Sequence, residues 1–144
     1  MKKINILNLI IDILNEGSGA TELHCQKIIF FLYGLFKKKF GVELLHNPDF
    51  RAWKYGVVEI NCHNFFKNIE KNKSLDFFNI EMELKEKYAF VIKVISILAE
   101  ISPWKLVEIA HLSYAWIANY DIGDSKIPLI DVDLSFLNLD LDSI

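Results

Sequence analysis

The segment 21–40 carries apolar residues on nearly every side of the helix that its spacing predicts. Thr21 is a residue type that caps a helix N-terminus, and Gly41 is one that ends a helix. A helix that is apolar all round must be buried among other elements. We therefore predict a mainly α fold, a compact bundle of about five to six helices around this central apolar helix.

Other helices are predicted where apolar residues recur at intervals of three and four. They cover about 3–15, 59–70 and 84–99, and the last one begins at Pro103, after Ser102 as its cap, and runs towards Trp116. Residues 71–74 are interpreted as a loop. One short β hairpin is predicted near 42–57, in which 42–45 pair with the aromatic run 50–55.

The composition fits one folded domain over residues 1–144, because 52% of the residues are apolar and 24% are charged. No run approaches the ~18 uncharged apolar residues of a membrane span, so no membrane partner is expected. The N-terminus has the order of a secretory signal, but Asp12 and several asparagines interrupt its apolar stretch. We interpret it as a mature helix and expect a cytoplasmic protein, which the small number of cysteines also fits.

Charge is distributed unevenly along the chain. The net charge is −3, and residues 121–144 alone contain six Asp and one Lys. Because the chain lacks the strongly basic face typical of nucleic-acid-binding proteins, a nucleic-acid partner is not expected. The acidic segment 121–144 is expected to dock on the bundle, and the alternation at 130–134 leaves a strand, a short acidic helix or a docked arm open.

Side chains suited to metal binding and to nucleophilic catalysis occur at unsuitable spacings. His24–Cys25 and Cys62–His63 offer zinc ligands, but neighbouring residues of a helix point about 100° apart. Either cysteine could pair with His111 as a base, yet neither sits at a glycine-flanked turn. No glycine-rich phosphate-binding motif occurs either. We therefore expect no catalytic residue, no metal and no cofactor, and interpret the protein as a non-enzyme.

Aromatic residues make up 13% of the chain, and three of them lie in the run 50–55. Tyr and Trp combine a large apolar area with a polar tip, which suits both protein cores and protein interfaces. Whether this run is core or contact surface therefore stays open. The lysines at 37–39 likewise leave two interpretations, a solvated helix end or a footprint for an acidic partner.

Three blocks of the sequence match the patterns of one known family in order and spacing. CQKIIFFLYG at 25–34 is similar to L-Q-K-L-L-Y-F, FRAWKYGVV at 50–58 to E-A-W-x-Y-G-P-V, and LVEIAHLSYAW at 106–116 to L-x-x-L-T-H-S-x-x-P-W. Together they resemble the Panacea domain, a family that includes SocA-like and phage-associated GepA-like proteins, over about residues 5–137. The matching positions, which the resemblance offers as motif or partner-contact residues, are Gln26, Lys27, Tyr33, Ala52, Trp53, Tyr55, Gly56, His111 and Trp116.

The resemblance implies an antitoxin domain that neutralises a nearby-encoded protein toxin by direct binding. The alternatives are a SocA-like adaptor that delivers the bound toxin to an AAA+ protease, and an orphan interaction protein associated with phages or mobile elements. The resemblance also implies a mostly helical fold with a small β element. We expect Trp53, Tyr55, His111 and Trp116 to cluster where the hairpin meets the fifth helix, either as core or as contact surface.

Overall fold

The computed structural model describes residues 1–143 and is mainly helical, as predicted. Its strands are β1 (Lys2–Asn5), β2 (Phe50–Trp53), β3 (Gly56–Glu59) and β4 (Asn79–Met82). Its α-helices are α1 (Ile6–Asn15), α2 (Glu22–Phe40), α3 (Ile60–Phe66), α4 (Lys71–Asp76), α5 (Glu86–Ala99), α6 (Pro103–Ala110) and α7 (Tyr114–Asn119). After α7 the chain continues as an arm with short 3₁₀ turns.

The central helix α2 is bounded as predicted. The Thr21 hydroxyl accepts a hydrogen bond from the His24 amide at 3.2 Å, and Gly41 ends the helix with a left-handed φ of 70°. Every residue from His24 to Phe36 is buried, because α2 packs against β3, α3, α5 and α6. Neither α2 nor any other helix in the described part of the chain is long and apolar enough to cross a membrane.

The hairpin is formed by different residues from those predicted. β2 pairs antiparallel with β3, and Trp53 stands opposite Gly56 across the turn. The predicted pairing of 42–45 is wrong, since that segment is irregular, although Leu44 and Leu45 are buried. All four residues of β3 are buried against the helices, so this strand lacks the alternation that marks a strand with one solvent face.

A second sheet joins the N-terminus to the middle of the chain. β1 pairs antiparallel with β4, so that Lys2 faces Met82 and Asn5 faces Asn79. The predicted helix 3–15 therefore begins too early. The Asn5 side chain accepts a hydrogen bond from the Asn8 amide at 2.9 Å, and this cap fixes the start of α1 at Ile6.

Two other helix boundaries also differ from the prediction. The helix predicted over 59–70 ends at Phe66, and the predicted loop 71–74 belongs to α4. The helix predicted from Pro103 towards Trp116 is two helices, because it stops at Ala110. The Ser113 hydroxyl then caps α7 by accepting a hydrogen bond from the Trp116 amide at 3.3 Å.

The acidic C-terminal segment docks as an arm, one of the three conformations left open by the sequence. The Ile127 amide donates to the Phe50 carbonyl at 2.7 Å, which ties the arm to β2. Leu134 packs on α2 at Gly34, where an added Cβ would lie 2.6 Å from the Leu134 side chain. Gly34 therefore provides the space in which the arm is seated.

Candidate functional site

Gln26 joins the central helix to the hairpin. Its amide nitrogen donates to the Glu59 carbonyl at 3.0 Å, and its amide oxygen accepts from the Glu59 amide at 2.8 Å. The side chain thus pairs with β3 as the main chain of a further strand would. Because Gln26 is buried, its position in the first block serves the attachment of the hairpin to α2.

The Glu59 carboxylate is buried at the end of β3 and was not singled out from the sequence. One oxygen accepts from the Cys62 amide at 2.9 Å and so caps α3, while the other accepts from the Asp49 amide at 3.0 Å. Burial raises the pKa of Glu59, and these hydrogen bonds, with one from Asn61, oppose the rise. Its place just before a helix, where caps occur, is the signal that could have identified it.

Lys27 is a fully buried lysine directed at the hairpin turn. Its ammonium donates to the Val57 carbonyl at 3.1 Å, and burial lowers the pKa of Lys27 to about 8. Gly56 makes room for it, since an added Cβ would lie 3.0 Å from Cε and 3.1 Å from Nζ of Lys27. Gly56 also has a φ of 111°, a conformation that favours glycine.

Tyr33 and Ala52 are interior residues. The Tyr33 hydroxyl donates to Glu43 at 2.8 Å, and its ring packs edge-on to Phe50 with centroids 5.3 Å apart. Burial and this hydrogen bond raise the pKa of Tyr33. Since both side chains are buried, neither contacts a partner in this conformation of the protein.

His111 and Trp116 hold the hairpin turn from the side of α6 and α7. His111 Nε2 hydrogen-bonds to the Lys54 carbonyl at 3.0 Å, and Trp116 Nε1 donates to the Trp53 carbonyl at 2.7 Å. The two rings lie against each other with centroids 4.1 Å apart. The turn carbonyls are thereby satisfied by two side chains of the third block.

The rings of Trp53 and Tyr55 pack against residues other than His111 and Trp116. Trp53 packs edge-on to His63 with centroids 5.0 Å apart, and its Nε1 donates to Asp124 at 3.0 Å. Tyr55 packs edge-on to Trp104 at 5.3 Å. The predicted cluster therefore forms through the backbone of the turn rather than by contact among all four side chains.

Exposure separates these aromatic residues. Tyr55 is 47% exposed and Trp104, which was not identified from the sequence, is 57% exposed. Trp53, His111 and Trp116 are half-buried. None of the four predicted cluster residues is fully buried, so the turn presents aromatic surface to solvent. We call Trp53, Tyr55 and Trp104 the hairpin surface.

A cleft of about 350 Å³ adjoins the hairpin surface between α2, the hairpin and α3. Residues of the first two blocks share its lining with charged side chains of α2 and α3. A hydrogen-bonded pair, His63 and Glu22 at 2.7 Å, lies within it. The lining residues are Glu22, Leu23, Gln26, Lys27, Trp53, Lys54, Tyr55, Val58, His63 and Lys67.

A more apolar cavity of about 360 Å³ lies between α2, α5, α6 and the arm, and no residue of the hairpin surface lines it. Apart from Asp140 and Ser143 its lining is aliphatic and aromatic, so it offers few groups that could bind or transform a polar substrate. The hairpin surface and the adjoining cleft contain four of the motif residues, Gln26, Lys27, Trp53 and Tyr55, and are therefore the stronger candidate site.

The cysteines and His24 have structural environments. Cys25 and Cys62 are free and buried, and burial raises the pKa of Cys25 to about 12 and that of Cys62 well above its ordinary value. An activated nucleophile needs the opposite shift. His24 Nε2 hydrogen-bonds to the Leu98 carbonyl at 3.0 Å. Within residues 1–143, no group of three or more His, Cys, Asp or Glu side chains is placed to hold a metal ion.

Comparisons of the chain with protein-family models, with curated proteins and with solved structures found no match. The resemblance to the Panacea domain therefore rests on the three sequence blocks alone.

Proposed function

We propose that this protein is an antitoxin-type protein that neutralises a cognate protein toxin by direct binding through the hairpin surface. The observation that carries the proposal is the exposed edge-to-face pair of Tyr55 and Trp104. Aromatic side chains of this kind supply much of the binding energy of protein interfaces when a partner buries them. The resemblance of the three blocks to the Panacea domain supports the same function.

The support of the turn favours tight binding. Three carbonyls of the hairpin backbone, those of Trp53, Lys54 and Val57, accept hydrogen bonds from side chains. The side chains are those of Trp116, His111 and Lys27, in that order. A surface that is already ordered loses little conformational entropy when it binds. The motif residues therefore support binding by fixing the turn that carries Tyr55.

The cleft beside Tyr55 adds a concave element to the hairpin surface. Its volume of about 350 Å³ accommodates side chains of a partner, and Lys54 and Lys67 bring positive charge to its lining. A toxin segment that inserts an apolar side chain with a nearby carboxylate fits this combination. The free, buried state of both cysteines supports a reducing compartment, and we place the complex in the cytoplasm.

The experiment is a growth assay with the adjacent open reading frame induced with and without this protein. We expect the neighbour to be toxic, the wild-type protein to rescue growth, and Tyr55→Ala/Trp104→Ala to lose rescue and toxin co-purification. Ile69→Ala is the matched control, since Ile69 is 51% exposed and lies outside the hairpin surface. Full rescue by the folded double variant would contradict this site, and a toxic neighbour that the wild type fails to rescue would favour an orphan protein.

A second candidate is an adaptor that delivers the bound toxin to an AAA+ protease. An adaptor needs two separate contact surfaces, and a second exposed apolar surface is present on α7 and the arm. The two functions differ in the fate of the toxin. A neutraliser leaves the toxin intact in the complex when the protease is present, whereas an adaptor causes it to disappear.

A further inference from the structure

The second exposed apolar surface lies on the outer side of α7 and on the arm. It borders a groove of about 550 Å³, and none of the motif residues lines that groove. Exposure of its apolar residues ranges from 40% at Phe136 to 85% at Ile130. We call it the α7–arm face, and its apolar residues are Leu112, Tyr114, Ile117, Ile130 and Phe136.

The inner side of α7 is buried and is bonded to the arm, which fixes the position of the α7–arm face. Tyr114 and Ile117 are three residues apart and share the outer side of α7, whereas Asn119 is buried. Asn119 donates to the Asp131 carboxylate at 3.1 Å and so ties the arm to the helix. Exposed apolar residues that share one groove in this way are typical of an interaction site.

The charge around the α7–arm face is negative. Asp131 and Asp133 line the groove, and no basic side chain does. Hydrogen bonds from Ser135 lower the pKa of Asp133, and the nearby charge of Lys38 lowers it further. Of the six Asp residues in the described arm, 121–143, Asp131 and Asp133 are the ones that line the groove.

We propose that the α7–arm face binds an amphipathic segment of a partner protein in which Lys or Arg residues flank an apolar stripe. The apolar stripe would fill the groove, and the cations would meet Asp131 and Asp133. A second copy of this chain fits less well, because a twofold contact through this face would bring the four carboxylates together. The proposal goes beyond the antitoxin function, since it requires neither a toxin nor the hairpin surface.

The test uses the full chain and two labelled amphipathic peptides of about 18 residues with the same leucine stripe, one flanked by Lys and one by Glu. Fluorescence anisotropy would measure binding at about 0.05 M and about 0.5 M salt. We expect the Leu/Lys peptide to bind and the Leu/Glu peptide not to bind. Ile117→Ser/Ile130→Ser should weaken binding by at least about tenfold, because two exposed apolar contacts are lost.

The charge contribution is tested separately with Asp131→Asn/Asp133→Asn, which keeps an acceptor for Asn119 and Ser135. We expect this variant to bind the Leu/Lys peptide several-fold more weakly at low salt and to lose most of the salt dependence. Ile69→Ser is the control for the loss of an exposed isoleucine elsewhere and should bind as the wild type does. Equal urea midpoints would show that all variants are folded.

Several results would overturn the proposal. They are failure of the Leu/Lys peptide to bind, equal binding of both peptides, and unchanged binding by the isoleucine variant. A concentration-dependent dimer that Ile117→Ser/Ile130→Ser abolishes would assign the face to a second copy instead. Since none of these results depends on Tyr55 or Trp104, they are independent of the rescue assay.

Discussion

The buried charge of Lys27 should be visible in the pH dependence of stability. Burial lowers the pKa of Lys27 from 10.5 to about 8 in the folded protein. Between these two values the unfolded chain binds more protons than the folded one, so the free energy of unfolding rises with pH. The destabilisation is therefore fully present below pH 8 and fades as the pH rises towards 10.5.

The size of the effect follows from the two pKa values. Removing the whole destabilisation caused by Lys27 would raise the free energy of unfolding by about 3 kcal/mol, and about 1 kcal/mol of this gain falls between pH 7 and pH 9. An opposite trend sets in within the same range, because the unfolded thiols of Cys25 and Cys62, with an ordinary pKa of 9.0, ionise as the pH approaches 9 while burial keeps the folded thiols protonated. The difference between the wild type and a variant that lacks the lysine therefore isolates the contribution of Lys27, since both contain the same thiols.

The measurement is urea unfolding followed by tryptophan fluorescence at pH 7, 8 and 9 for the wild type, Lys27→Met and Lys105→Met. The wild type should gain about 1 kcal/mol over this range relative to Lys27→Met. Loss of the hydrogen bond to Val57 changes the free energy of unfolding of Lys27→Met by the same amount at every pH, so it does not affect the dependence on pH. Lys105, whose side chain is 62% exposed, is the control and should follow the wild type. Parallel curves for the wild type and Lys27→Met would refute a buried, perturbed lysine.

Three further predictions concern the support of the turn and the thiols. Gly56→Ala should lower the free energy of unfolding by about 2 kcal/mol or more, because alanine is strained at this φ and its Cβ contacts the buried lysine. Gly41→Ala, at φ 70° with open space around it, should lower it by only about 1 kcal/mol. If urea unfolding showed the same loss of stability for both variants, the close contact between Gly56 and Lys27 would be contradicted. Gln26→Leu should cost about 2–3 kcal/mol by leaving buried backbone groups unpaired, and an unchanged thermal midpoint would count against this. Cys25 and Cys62 should react with a thiol reagent at pH 8 at least about a hundredfold more slowly in the folded protein than in denaturant, and similar rates would contradict their burial.

The parts of the fold that were predicted correctly are those specified by neighbouring residues. The bounds of α2 follow from Thr21, Gly41 and the apolar residues between them. The pairing of β1 with β4 was missed because it joins segments that are distant in sequence, and the polar–apolar alternation of 79–82 spans only four residues. Ser113 was counted as part of a longer helix, although its hydroxyl caps the next one. Serine fits both interpretations until the path of the chain is known.

The sequence singled out several residues of the candidate site but not how they are arranged. The sequence placed Trp53 and Tyr55 in an aromatic strand of the predicted hairpin, and both lie on the hairpin surface. It could not identify Trp104, since the residue after Pro103 is simply an exposed position of a helix until α6 is placed beside the turn. The pairing of Gln26 with the backbone of Glu59 is equally non-local. Polar side chains of this kind carry no periodic pattern that reveals their partners.

Apart from the interior residues Tyr33 and Ala52, the motif residues divide into those that hold the turn and those that the turn presents. Gln26, Lys27 and Trp116 contact backbone groups of the hairpin, whereas Tyr55 extends into solvent beside Trp104. Under the proposed function, the choice of partner would therefore depend on exposed residues such as Trp104 rather than on the residues that fix the turn. A variant of Lys27 that loses activity shows only that the turn needs its support. A variant of Tyr55 and Trp104 that loses activity with an intact fold shows contact, because those rings have exposed surface for a partner to bury.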